Sequence, residues 1–142
     1  MNNISFKGFK VISLSFQTEQ QGLEDNVSVN YQTLFSQESD KEFMVLFKIA
    51  LYAKDGTEIY LEYAGFFEAD QAITQDFMNS SFPVVNAPAI LYPYIRSFVS
   101  TLTMNAGMPT VILPTVNFQA LANQKKQAEQ SELPLNLAAE TP

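Results

Sequence analysis

The feature that most constrains this chain is a pair of alternating apolar runs on either side of Asp55-Gly56. Phe43, Val45, Phe47, Ile49 and Leu51 lead into the dipeptide, and Ile59, Leu61 and Tyr63 follow it. Alternation with period two puts each set on one face of a strand. Asp-Gly between two such runs predicts an antiparallel hairpin with a type I′ turn, because both central positions then take positive φ. The intervening Met44, Leu46, Ala50, Tyr52, Tyr60 and Ala64 are mostly apolar as well. A sheet with one strongly apolar face and one only partly polar face is expected to be covered twice, by its own helices and by another subunit.

The rest of the chain arranges itself around this hairpin. Ile4 and Phe6 share a phase that Gly8 interrupts, after which Ile12, Leu14 and Phe16 alternate with Ser13, Ser15 and Gln17. This reads as a long first strand with a bulge near Gly8. Thr18 to Asp25 is polar and reads as a loop; Val27, Val29 and Tyr31 begin a second strand ending near Phe35, and Ser36 to Lys41 connects it to the hairpin. After Phe66-Phe67-Glu68 the pattern changes. A short helical turn fits between Ala69 and Met78, and Asn79 to Asn86 reads as an irregular crossover. This region carries Phe77, Met78, Phe82, Val84 and Val85, and loops are usually wetter than that.

Ile90, Leu91, Tyr94, Ile95, Phe98, Val99 and Leu102 then recur at three and four, which predicts a long helix from about Ala87 to Ala106. Asn86 is its expected N-cap, Pro88 lies in its first turn, Pro93 should bend it or loosen its start, and Asn105-Ala106-Gly107 should stop it. Met108 to Pro114 reads as an extended connector. Asn117 should cap a shorter helix with Phe118, Leu121 and Ala122 inward and the polar run Asn123 to Gln130 outward. From Ser131 the chain is polar with small residues. The expected organisation is one domain over residues 1–130 and a flexible tail over 131–142.

Composition removes most function classes. With no histidine and no cysteine among 142 residues, the chain lacks the usual general base, the commonest zinc ligand, thiol nucleophiles and disulfides. Asp70 and Asp76 remain as carboxylates in a cleft-forming region, without a visible partner, and an enzyme is not expected. Eight Lys and Arg against 15 Asp and Glu give a net charge of -7, which opposes binding to a phosphate backbone, so nucleic acid is not an expected partner. The longest apolar stretch, Phe43 to Ala53, is broken by Lys48 and falls short of the roughly 20 residues that span a bilayer. The N-terminus lacks the apolar core of a signal peptide, so the expected location is the cytoplasm. Charged residues are only 16%, while Phe numbers 12 and Tyr 6. Such a surface points to self-association or to an exposed apolar binding site, with a Phe-rich core as the plainer alternative.

Four segments stand in a distinctive order: Tyr63-Ala64-Gly65-Phe66-Phe67, Leu91-Tyr92-Pro93-Tyr94-Ile95-Arg96, Thr101 to Pro109, and Leu113-Pro114-Thr115-Val116-Asn117-Phe118-Gln119-Ala120-Leu121. Together they resemble the signature segments of the SecB family of export chaperones, over about Ile4 to Gln127. The resemblance implies an α+β protomer with a four-stranded antiparallel sheet, one long helix and one short C-terminal helix. It also implies a homotetramer built as a dimer of dimers, working without cofactor or ATP as a holdase for unfolded or precursor polypeptides.

By the same resemblance the client site comprises Tyr31 and Phe35 on the second strand, Phe77, Met78, Phe82, Val84 and Val85 in the crossover, and Phe118 and Leu121 on the last helix. Phe118 and Leu121 read equally well as core. The first strand and the long-helix stripe would carry subunit contacts, with Phe98 and Leu102 equally readable as intramolecular, and Arg96, the single arginine, suits a buried or interface ion pair. Members that deliver clients to the motor SecA present acidic residues where this chain has Ser13, Gln17 and Tyr60. Two readings of that departure differ in partner: a divergent export chaperone, or a SecB-like chaperone for a dedicated client such as an antitoxin. A carrier of small apolar ligands is the alternative from another class.

Overall fold

The computed structural model describes residues 3–18 and 24–130. Most of the expected loop after the first strand, and the whole expected tail at 131–142, lie outside the described residues. Four strands come first: β1 (Ile4–Thr18), β2 (Asn26–Phe35), β3 (Glu42–Tyr52) and β4 (Thr57–Ala69). A single-turn helix α1 (Gln75–Met78), a π-helical turn (Phe82–Asn86), the long helix α2 (Ala87–Asn105) and the shorter α3 (Phe118–Gln130) follow. The strands form one antiparallel sheet in the order β1-β4-β3-β2, so β1 and β2 are its two edges. This is the α+β arrangement that the resemblance implies.

The β3–β4 hairpin forms, but its turn is not the two-residue type I′ turn expected. Ala53 N donates to Thr57 O and Gly56 N to Ala53 O, both at 2.9 Å, so the loop comprises Lys54, Asp55 and Gly56, with Gly56 at φ 92°. The reason is parity. Leu51 stands opposite Ile59 and Ile49 opposite Leu61, whereas a two-residue turn at Asp55-Gly56 would set Leu51 against Tyr60 and mix the two faces. A third loop residue, with glycine at its left-handed end, keeps both apolar rows on one side. Asp55 Oδ1 accepts from Thr57 N at 2.9 Å, and hydrogen bonding to Thr57 lowers the carboxyl's pKa.

β1 carries the expected irregularity between Phe6 and Gly8 and a second one between Val11 and Ser13. Ile12 is the extra residue of the second, so it is not in phase with Leu14 and Phe16 as its alternation suggests. The bulge returns Leu14 and Phe16 to the face that holds Phe9 and Val11, opposite Leu61 and Ile59.

α2 lies on the face formed by Phe43, Val45, Phe47, Ile49, Leu61, Tyr63 and Phe67, all buried, and contributes Leu91, Ile95 and Val99 at 1% exposure or less. The closest approach is at Gly65, where a Cβ would sit 2.7 Å from Leu91 Cδ2. Any larger residue there would displace Leu91, a side chain whose burial contributes about 1.5–3 kcal/mol. The helical stripe therefore divides: Leu91, Ile95 and Val99 are core, Phe98 and Leu102 half-buried, and Ile90 and Tyr94 exposed.

Asn86 does not cap α2. Its backbone is already helical and its side chain makes no cap bond, because the π-turn runs directly into the helix. The helix continues across Pro93 and ends as expected, with Gly107 at φ 84°, Gly107 N donating to Met104 O at 3.3 Å and Met108 N to Thr103 O at 3.0 Å. The extended connector is held against α2 by Ser100 Oγ donating to Val111 O at 2.8 Å and Tyr92 OH to Pro114 O at 2.6 Å. Asn117 Oδ1 accepts from Ala120 N at 2.9 Å and opens α3 as expected.

Candidate functional site

The crossover is far more ordered than its irregular sequence suggests. Thr74 caps α1 by accepting from Phe77 N at 3.1 Å, and Ser80 Oγ donates to Phe77 O at 2.6 Å. The π-turn that follows is tied to the β2 edge by two hydroxyls: Tyr31 OH donates to Val84 O and Thr33 Oγ1 to Pro83 O, each at 2.7 Å. α3 packs on the same turn. Its Phe118 ring meets Tyr31, Phe47 and Tyr92 edge-on, with centroids 5.5, 5.9 and 5.5 Å apart.

Six of the nine residues expected to touch a client are linked by contacts into two groups. One joins Tyr31, Val84 and Phe118. The other runs from Phe82, stacked on Phe77 at 5.9 Å, through Phe43 to Phe35. The nine are not equally accessible. Tyr31, Phe77 and Phe118 are 5%, 3% and 6% exposed and belong to the core, while Phe35, Met78, Phe82, Val84, Val85 and Leu121 are half-buried. Near Phe35 a hollow of about 500 Å³ opens between Leu34, Met44 and Phe66 at one end of the sheet. Burial pushes the Tyr31 hydroxyl up to about 12 and raises those of Tyr92 and Tyr63.

Two residues of this region escape the sequence reading. Thr33 is one. The other is Lys125, assigned to an outward polar run; its Nζ lies 3.8 Å from the Tyr31 ring centroid and donates to Tyr31 O. The signal was available, since 118, 121, 122 and 125 share one helix face.

Among the described residues no group of acidic side chains is placed to hold a metal ion, and Asp70 Oδ1 is taken up accepting from Asn3 N at 3.0 Å. No described helix is long and apolar enough to cross a membrane. Arg96 has no carboxylate within ion-pair distance among the described residues.

On the opposite edge, Phe9, Val11 and Leu14 of β1 are 50%, 36% and 41% exposed, and the Phe9 ring centroid lies 5.1 Å from that of Tyr94 of α2. On the sheet face away from the helices, Ser13 stands opposite Glu62, Gln17 opposite Glu58 and Ser15 opposite Tyr60. The carboxylates absent at 13 and 17 are therefore present one strand away, interleaved with Lys48, which is also opposite Glu62. Tyr60 hydrogen-bonds Tyr52 at 2.8 Å, and this bond, ahead of burial, pushes its hydroxyl up to about 12.

Comparison with known proteins bears on this arrangement. A family model described as preprotein translocase subunit SecB matches residues 2–129. The protein-export protein SecB of Afipia carboxidovorans is 32% identical over 124 residues, 84% of this chain and 74% of that one. An uncharacterised protein of Methanocaldococcus jannaschii is 32% identical over 113 residues, 75% of this chain and 71% of that one. Among solved structures, a SecB-like chaperone of Mycobacterium tuberculosis, in complex with a peptide from an antitoxin, superposes with a TM-score of 0.65 at 18% identity, covering 80% of this chain and 90% of that one.

Proposed function

Because this chain belongs to the SecB family of preprotein translocase subunits, we propose that it is an ATP-independent holdase that binds unfolded or precursor polypeptides along β2, the crossover and α3. The observation that carries this reading is that Phe35, Met78, Phe82, Val84, Val85 and Leu121 are left half-buried, with the turn that bears Val84 tied to β2 by hydroxyl-to-carbonyl bonds. Apolar contact is non-directional and tolerates many client sequences; each large side chain a client buries adds about 1.5–3 kcal/mol. Tyr31, Phe77 and Phe118 would form the floor of such a site rather than its walls.

The same reading makes the protein a homotetramer of the cytoplasm. Phe9, Val11 and Leu14 are exposed apolar side chains on β1, as are Ile90, Tyr94 and Met104 on α2, and pairing of β1 edges would hide those of β1 together with an open sheet edge. The decisive experiment is aggregation of a chemically unfolded protein on dilution, with about one tetramer per client and no ATP. Suppression is the expected result, and its absence from a well-formed tetramer removes the general holdase reading.

A second reading, service to one dedicated client such as an antitoxin, is favoured by the uncharged Ser13 and Gln17 and by the antitoxin peptide carried by the M. tuberculosis chaperone. In its favour would be binding to a neighbouring antitoxin without binding to SecA. Binding to SecA that is lost in a Glu58→Gln, Glu62→Gln variant would instead assign delivery to the export motor.

A further inference from the structure

β2 is an end strand, with β3 on one side and no strand on the other. Such an edge leaves alternate N–H and C=O groups without ladder partners, and an extended chain arriving there would pair with them. In this protein the Tyr31 carbonyl is already engaged by Lys125 Nζ, while the same ammonium sits 3.8 Å from the Tyr31 ring centroid. Lys125 follows Phe118 by two helical turns on one face of α3. The helix therefore rests on Tyr31 at two points, an apolar wedge at its start and a cation further along.

The two points differ in kind. Phe118 is 6% exposed and locked among three rings, whereas Lys125 is exposed. An exposed ammonium readily exchanges its acceptor for water or another acceptor and leaves the carbonyl to another donor, at a cost near that of one cation–π contact. Lysine is also a residue by which sheet edges are kept from pairing with foreign strands.

We propose that Lys125 is a latch on the β2 edge: it keeps the Tyr31 carbonyl closed to extended polypeptide in the unoccupied chain, and a client strand adding to β2 displaces it. This rests on the client-binding reading above. Displacing the latch frees the far part of α3 while Phe118 keeps its root anchored, so the edge opens without unfolding the core.

The test compares the full chain with its Lys125→Met variant, which keeps an apolar stem over the Tyr31 ring and removes the ammonium. The probe is an uncharged, fluorescein-labelled nonapeptide alternating phenylalanine and threonine, read by anisotropy; a second peptide has proline in place of two threonines and so lacks those N–H donors. The expected result is that Lys125→Met binds the first peptide about three- to fivefold tighter, the worth of one exposed cation–π contact. The gain should be absent for the proline peptide, and amide exchange in α3 should be faster in the free variant. Unchanged or weaker binding by the variant overturns the latch, and so does an equal gain with the proline peptide. If neither protein binds either peptide, the client-binding reading fails and the latch fails with it, whereas binding of the first peptide that the substitution leaves unchanged overturns the latch alone.

Discussion

The two edges of one sheet are finished in opposite ways. β1 is 15 residues long and twice bulged, and it leaves Phe9, Val11, Ile12 and Leu14 exposed, with Phe9 against Tyr94. β2 is 10 residues long and is overlaid by the crossover turn and α3, held by Tyr31 and Thr33 hydroxyls and by Lys125. Aromatic rings serve both edges, but at β2 they are enclosed by the chain's own elements, whereas at β1 they end in open surface. The contrast shows how a chain with few charges can divide its apolar surplus. One edge keeps surface that a rigid, identical partner can cover. The other keeps surface beneath segments tied down by polar bonds, which can be released and remade.

The largest expected break in this contrast is at the β2 side. Phe118→Ala removes the ring that anchors α3 and should destabilise the protomer by about 3–5 kcal/mol in chemical denaturation, while sedimentation of the folded fraction shows unchanged assembly. Dissociation of the assembly with this variant would mean that the two edges are not independent.

Phe9→Ser should act on assembly as well. Protomer stability should fall by only about 1–2 kcal/mol, the share of the half-exposed ring that already packs on Tyr63 and Tyr94, and self-association should weaken by about 1–1.5 kcal/mol, the half of that side chain still open to a partner. Sedimentation across a dilution series measures it, and an unchanged dissociation constant would place the subunit contact elsewhere.

Alkaline pH should act on the β2 side. The Tyr31 hydroxyl is raised from 10.0 to about 12 by burial, so the folded chain holds its proton after the unfolded chain has released it. Stability from this group is present below pH 10 and is lost as pH rises toward 12, by about 1–2 kcal/mol after allowance for solvent screening. Melting temperature against pH checks this, and Tyr31→Phe should flatten the decline that Tyr31 contributes, leaving the shares of Tyr63 and Tyr92. At neutral pH that substitution should cost about 1 kcal/mol, because it leaves the Val84 carbonyl without its hydroxyl donor.

Much of this was legible in the sequence, and what was missed has physical causes. The alternation from Phe43 to Leu51 and from Ile59 to Tyr63 predicted β3 and β4, and helical spacing predicted α2 and α3 with the Gly107 stop and the Asn117 cap. Turn type was misread because Asp55-Gly56 states a local preference, whereas register is set by which faces must match across the ladder. Asn86 was misread as a cap because the π-turn before it depends on hydroxyls of a strand some 50 positions away. Phe77 read as a surface candidate and Phe118 equally as site or core, and only packing shows that both are closed in.

By itself the sequence determined the class of the protein: a chain without histidine or cysteine, with period-two runs followed by period-3.6 runs and the ordered segments of its family, cannot hide what kind of fold it makes. Spacing along the chain is a local property and is read directly. The order of the strands, the open and covered edges, and the turning of Lys125 onto Tyr31 were decided only by the tertiary structure. Each depends on elements distant in sequence competing for the same apolar surface, and no local window contains that competition.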